Sequence, residues 1–352
     1  MKKRHQFLAV ALLIQIPLFA YPILRLCQWL HVGTVQTVAV FLPLFFSQIV
    51  ARLYLRQASY GLLFWLRRSA DLWLGISPVL FCMLIATEVP VAFGWIAAYN
   101  AALALVCMAF ALAAYSVVNA YSPSVVEVKL SSRKVASTVR FAQITDVHIG
   151  SRTSAFLTRV MEKVNCLNID FLCITGDFID ATGVTENALA ALRSSRVPIY
   201  FSIGNHERYE DLDAILDRLK RLGVTVLRSR TITHGEVQLI GIDDAENPAQ
   251  VQRELATLEL DAKQFLLLMY HRPRGLRAAA KAGVDLMISG HTHNGQIVPF
   301  NFIVARVFKK TVGLFEEGAT RLYVSPGTGT WGPVMRLGSR GEVTLFEVQP
   351  LT

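Results

Sequence analysis

The first 121 residues constrain this chain more than any other feature. Four apolar segments, Phe7–Leu26, Val32–Leu55, Leu72–Val89 and Val91–Tyr121, follow one another with short polar interruptions. A bilayer core of about 30 Å takes roughly 20 apolar residues per helix, so this part reads as four transmembrane helices. The third segment is short and holds Pro78, and the fourth is long enough to begin nearer Trp95. A cleaved leader is the rival reading for the first segment, but three more apolar segments follow it. Hydrophobic residues make up 53% of the 352 positions and charged residues 17%, which is apolar for a wholly soluble chain.

Charge is divided as sharply as hydropathy. Through Arg140 the chain carries twelve Lys/Arg and three acids, and beyond it 23 of each. The surplus of +9 therefore sits with the apolar part and gives no footing for a nucleic-acid partner. It fixes orientation instead. Lys2, Lys3 and Arg4 precede the first segment; Arg52, Arg56, Arg67 and Arg68 separate the second from the third; Lys129, Arg133, Lys134 and Arg140 follow the fourth. Positive loops stay in the cytoplasm, so all three clusters fall on one side of an inner (plasma) membrane, with the rest of the chain cytoplasmic. Asp71 and Glu88 lie at segment ends, where a charge reaches the interface, and this argues against transport. The five cysteines show neither metal-ligand spacing nor a disulfide framework and fit a reducing compartment as free, buried thiols.

After a linker, 122–140, holding the short alternating run "VVEVKL", residues 141–352 form a second domain in which short apolar runs are each followed at once by polar, ligand-type residues. "VRFAQITDVH" ends in Asp146 and His148, "DFLCITGDFID" in Asp177 and Asp180, "VPIYFSIGNHE" in Asn205 and His206, "QFLLLMYHRP" in His271, and "DLMISGHTH" in His291 and His293. Helical spacing of Phe156, Val160, Val164 and Leu167, and of Leu212, Ile215, Leu216 and Leu219 before Gly223, separates some of these runs. Strand, loop and helix in alternation predict an α/β fold, whose ligand crevice lies at the C-terminal ends of the strands. Five such ends carry carboxylates, one amide and imidazoles, a nitrogen and oxygen donor set suited to Mn, Fe, Zn or, less well, Mg. The set is too large for one ion and large enough for two. Paired ions serve displacement at phosphorus by activating water and holding phosphoryl oxygens.

At these residues the chain resembles the calcineurin-like metallophosphoesterase family. "DVH" at 146–148, "GDFID" at 176–180, "GNHE" at 204–207, His271 and "GHTH" at 290–293 occur in the family's order. "GHTHNGQ" and "LYVSPGTGTWGPVMR" look most like its membrane-associated, YkuE-type branch, which often has Gly where Asn294 stands. The resemblance implies a two-sheet α/β sandwich and two divalent metal ions, Mn2+ first with Fe or Zn as alternatives. By the family pattern, Asp146, His148 and His293 hold one metal, Asn205, His271 and His291 the other, and Asp177 bridges them. His206 matches the catalytic histidine and Asp180 the carboxylate that orients it. Glu207 is placed behind the ligands, in a supporting position. The implied activity is a membrane-anchored phosphoesterase acting on a phosphoester or pyrophosphate of a lipid-linked or amphipathic substrate. UDP-2,3-diacylglucosamine is a concrete candidate. A tethered phosphodiesterase for soluble nucleotides and a non-enzymatic metal-binding sensor or scaffold are the alternatives.

Other features are open at this level. "GTGTWG" matches a dinucleotide fingerprint in its glycines, but Pro333 follows where a helix should open, so it reads as a tight loop that lets backbone approach the metal site. Arg208, Arg272, Arg274 and Arg336 are either phosphate ligands or solvated charges. His5, His31 and His234 match no motif and are expected at the surface. "IVPFNFIVARVFKK", residues 297–310, is either a loop that dips into the cytoplasmic leaflet or a core strand with a basic end.

Overall fold

The computed structural model describes residues 14–55 and 61–351. Lys2, Lys3, Arg4, His5, Arg56 and residues 7–13 of the Phe7–Leu26 segment lie outside them. Contacts divide the chain into two units, the apolar N-terminal part through Val118 with Ile297–Pro299 and Gly332–Leu337, and the remainder.

Among the described residues of the first unit, three helices are long and apolar enough to cross a membrane. Helix α1 covers Tyr21–Trp29, following a π-turn at Ile16–Ala20, while α2 covers Thr34–Tyr54, α3 Gly61–Ala92 and α4 Ala98–Tyr121. Two boundaries differ from expectation. Arg67 and Arg68 lie inside α3 rather than in a loop: nothing from Gly61 onward breaks the helix, and long basic side chains can reach polar surroundings from a helix end. The last apolar segment starts at Ala98, because Gly94 takes φ +72 just beyond the end of α3, a left-handed turn that stops a helix. Both acids of this unit are paired across helices. Arg25 Nε donates to Glu88 at 2.6 Å and Arg52 Nη2 to Asp71 at 3.1 Å, so each contributes to helix packing.

The second unit holds two six-stranded sheets. Strands β1 (Ser124–Ser132), β2 (Val139–Ile144), β3 (Phe171–Thr175), β4 (Ile199–Ser202) and β5 (Val224–Val226) join β12 (Glu342–Pro350) in the order β1-β12-β2-β3-β4-β5. Strands β6 (Arg230–His234), β7 (Val237–Gly241), β8 (Phe265–Met269), β9 (Leu286–Ser289), β10 (Gly313–Glu317) and β11 (Thr320–Val324) run in the order β10-β11-β9-β8-β7-β6. The residues read as a linker are part of this unit. β1 pairs with β12 in parallel from Ser124 to Ser132, because an alternating strand beside a sheet edge satisfies its backbone by pairing there.

Helices α5 (Ser154–Asn165), α6 (Asn205–Tyr209) and α7 (Leu212–Arg221) follow strands of the first sheet; α8 (Gln250–Leu255), α9 (Leu276–Lys281) and α10 (Phe300–Val307) follow strands of the second. The helical spacing seen in the sequence buries Phe156, Val160 and Val164 of α5 and Ile215, Leu216 and Leu219 of α7 in one cluster. Between the sheets Phe141 stacks on Phe171 and Phe346, with ring centroids at 5.0 and 4.8 Å, in a core shared with Leu239, Leu267 and Ile288. β2, β3 and β4 are mutually parallel, as are β7, β8, β9 and β11. This arrangement brings the C-terminal ends of β2, β3, β4, β8 and β9 together.

Candidate metal centre

Each of those five strand ends delivers side chains to one place. Three overlapping groups could hold a cation: Asp146, His148 and His293; His148, Asp177 and His206; and Asp177, His271 and His291. Within each group the donor atoms lie within 4.8 Å of one another. Nitrogen faces nitrogen at 3.1 Å both between His148 Nε2 and His293 Nε2 and between His291 Nδ1 and His271 Nε2. Asp177 Oδ2 lies 3.0 Å from His271 Nε2, and Asp146 Oδ1 lies 3.3 Å from His293 Nε2. Asn205 Oδ1 is buried with no hydrogen-bond partner. A buried carbonyl oxygen without a donor is costly, and a hard cation satisfies it. Converging lone pairs and an orphaned oxygen fit nitrogen- and oxygen-ligated divalent ions.

The backbone is strained where these side chains emerge. Asp146, His148, Asp177, His291 and His293 all have φ between +49 and +72. Non-glycine residues seldom occupy that region, at a cost of about 1–3 kcal/mol each. Bonds between loops hold the conformation: Asp146 N donates to Gly176 O and His148 N to Asp177 O, both at 3.1 Å. His291 N donates to the Asp146 carboxylate at 3.0 Å. Two motif glycines have a steric cause. A Cβ on Gly204 would overlap Asp177 Oδ1, and one on Gly290 would overlap Asp146 Oδ2. The glycine-rich loop after β11 touches the same region through backbone, with Gly329 N donating to Asp146 O at 3.0 Å.

Electrostatics follow from burial and mutual charge. Burial works against a charged His271, yet the Asp177 carboxylate wins and pushes it up to about 10. Burial and the His271 charge push His291 down to about 2, so one ring of that pair presents a free lone pair. His271 Nδ1 faces the Thr175 carbonyl at 2.9 Å, which directs Nε2 to the site. Burial, then the His148 charge, lowers His206 below the ordinary histidine value.

Asp180 departs from its expected position. Its carboxylate lies 3.2 Å from His148 Nδ1 and accepts from Ser151 N at 2.8 Å and Ser151 Oγ at 2.6 Å. It orients His148, not His206, because the chain after β3 turns toward the β2 loop. His206 is held otherwise: its backbone N donates to Asp177 Oδ1 at 2.8 Å, and its ring meets His148 edge-on at 4.8 Å.

Sequence reasoning placed Glu207 only behind the ligands, and the structure gives that place its content. It is fully buried and accepts from Gly204 N, Asp177 N, Phe178 N and Ile179 N at 2.7–3.0 Å. It thereby ties the Asp177 loop to the Asn205 loop. Burial and the Asp177 charge push it up to about 7, against the pull of those N–H groups. Its place beside His206 was the only signal. Glu207→Gln sets an amide donor against these N–H groups and should cost about 1–3 kcal/mol, lowering Tm by roughly 5 °C in calorimetry.

Arg272 and Arg336 are neither of the two things expected, whereas Arg208 and Arg274 are exposed charges that also have partners. Arg272 is buried, donating to Asp244 at 2.6 Å and Glu246 at 2.8 Å, and Arg208 joins it on Asp244 at 2.9 Å. Arg336 is buried as well, while Arg274 sits over the Phe308 ring at 5.3 Å. His31 is exposed and His234 meets the Tyr200 hydroxyl at 3.0 Å. All five cysteines are free, but only Cys27 and Cys173 are buried.

A family model described as calcineurin-like phosphoesterase matches residues 139–295. The chain belongs to this family of metal-dependent phosphoester hydrolases. An uncharacterized metallophosphoesterase of Aquifex aeolicus is 30% identical over 256 residues, which cover 69% of this chain and 98% of that one. Another from Campylobacter jejuni is 29% identical over 258 residues, 70% of this chain and 69% of the relative. A Danio rerio protein described as a transmembrane protein with metallophosphoesterase domain is 30% identical over 266 residues, 66% of this chain and 59% of its own length.

Proposed function

We propose that this chain is a membrane-anchored, dinuclear-metal phosphoesterase whose substrate is a lipid-linked or amphipathic phosphoester or pyrophosphate at the cytoplasmic face. The observation that carries the reading is Asp177, shared between the group with His148 and His206 and the group with His271 and His291, with His148 in turn shared with Asp146 and His293. On this reading Asp146, His148 and His293 hold one ion, Asn205, His271 and His291 the second, and Asp177 bridges. Two bound divalent ions, Mn2+ first, supply Lewis-acid charge for the phosphoryl oxygens and a water activated for in-line attack. His206 stands at the edge of the cluster, its side chain 19% exposed, where a leaving oxygen would depart. Even as a neutral ring it keeps one N–H to donate there. Asp180 and Glu207 fix the loops that carry these groups.

Support for a membrane setting comes from the three apolar helices; on this reading the sequence segment Phe7–Leu26 supplies a fourth span. Basic residues at one set of helix ends support a cytoplasmic site. The tethered nucleotide reading draws on a separate feature. Tyr209 and Trp331 are both exposed, and their rings lie 5.9 and 6.0 Å from His206, spacing that suits stacking on a base. A uridine diphosphate lipid would satisfy both features. Detergent-solubilised protein loaded with Mn2+, Fe2+ or Zn2+ should cleave a lipid pyrophosphate such as UDP-2,3-diacylglucosamine at least about tenfold faster, in kcat/KM, than free UDP-glucose or cyclic nucleotides. Equal rates on both classes would favour the tethered nucleotide enzyme.

A further inference from the structure

The segment 297–310 was open between a buried strand and a leaflet-dipping element. It forms neither strand nor core. α10 spans Phe300–Val307 and has no buried residue. Phe302, Ile303 and Val307 are 68, 57 and 64% exposed. At helical spacing they share one side with Arg306, and Lys309 and Lys310 follow. No acid occurs from Phe300 to Val312. Phe300, Val304 and Phe308 recur every four residues on the opposite side, and all three are half-buried.

That inner side meets the metal centre. The Phe308 ring lies edge-on to His291 with centroids 5.3 Å apart, and Gly295, two residues past His293, packs against Asn301 so closely that a Cβ would collide. Upstream, Ile297–Pro299 belong to the apolar-helix unit, and Ile297 clusters with Ile76, Val79, Ala113 and Met335. α10 begins at the residue after Pro299. An exposed apolar strip flanked only by cations matches one partner chemistry.

We infer that α10 docks on an anionic lipid surface, laying Phe302, Ile303 and Val307 into the headgroup boundary with Arg306, Lys309 and Lys310 on lipid phosphates, so that the loop bearing His291 and His293 opens at the bilayer surface. The inference rests on the proposed phosphoesterase reading for the purpose of this surface, not for its existence. Apolar contact supplies the binding, and each cation near an anionic leaflet adds to it, screened by salt.

The test uses the full chain in nanodiscs of phosphatidylglycerol or phosphatidylcholine whose acyl chains are brominated near the headgroup. Ile303→Trp is compared with Ile303→Phe, so that the five native tryptophans cancel. The emission difference should fall by about half or more in phosphatidylglycerol discs, and less in phosphatidylcholine or high salt. A difference signal unchanged by bromine in both lipids overturns the inference, as does one quenched only when discs carry two copies of the chain. A second arm measures Phe302→Asp/Ile303→Asp on a disc-borne lipid pyrophosphate against soluble bis(p-nitrophenyl) phosphate, and expects the ratio of rates to drop about tenfold. Quenching without any cleavage of the lipid substrate would remove the proposed substrate and leave the docking surface standing. Cleavage of the lipid substrate at an unchanged ratio, without quenching, would do the reverse.

Discussion

Asp177→Ala is expected to empty the centre. Metal content should fall from about two ions per chain to near none, and turnover by at least about 10³-fold, because groups acting as one unit fail together. The reason is positional. Asp177 Oδ2 lies 3.0 Å from His271 Nε2 and 4.0 Å from His206 Nε2, while Oδ1 receives the His206 backbone N–H. No other carboxylate is shared between two of the cation-sized groups among the described residues. Asp177→Asn is the companion variant. It keeps an oxygen for the His206 N–H and nearly the same volume, so the fold should persist, while the bridging charge is gone. Elemental analysis alongside calorimetry separates loss of metal from loss of fold. Two ions retained by a folded Asn variant would defeat the bridging assignment.

His206→Ala should do the opposite for metal and nearly the same for rate. We expect both ions to remain and kcat to fall about 10²–10⁴-fold, the range of a positioned proton donor. The geometry contains a rival, since His206 groups with His148 and Asp177 as one possible cation site. Two features set it apart from the ligands. The proposed ligands face each other nitrogen to nitrogen at 3.1 Å in two pairs, His148 with His293 and His291 with His271, and His206 belongs to neither pair. Its side chain is 19% exposed, against 13% for His293 and full burial for His148 and His271. A proton donor matters most when the leaving oxygen is basic, so the loss should be far larger for an alkyl phosphodiester than for a p-nitrophenyl ester. An equal loss on both, accompanied by loss of one ion per chain, would make His206 a ligand instead.

These two residues also show what kind of information a sequence carries. Asp177, His206 and the other candidate ligands were legible because each ends a short apolar run, and parallel strands gather such ends by topology alone. The glycines of "GNHE" and "GHTH" belong to the same local logic, for each stands where a side chain would strike a carboxylate. Partners across loops were not legible. Asp180 is three residues past Asp177, yet which histidine it meets depends on how the β3 loop folds over the β2 loop, and it meets His148. Glu207 is adjacent to His206, yet its four backbone donors come from Gly204 and from residues 177–179.

Apolar period and charge distribution, which act within a few residues, were enough to set the N-terminal helices apart from an α/β domain and to place a donor set at five strand ends. Tertiary structure decided what depends on contacts between distant segments. It made β1 part of a sheet instead of a linker, locked Arg272 and Arg208 onto Asp244, and turned residues 300–307 into a helix with its apolar side left outward. The physical reason is range. Strand and helix preferences are paid out residue by residue, whereas the partner of a buried charge or an apolar face is set by whatever the rest of the chain brings beside it.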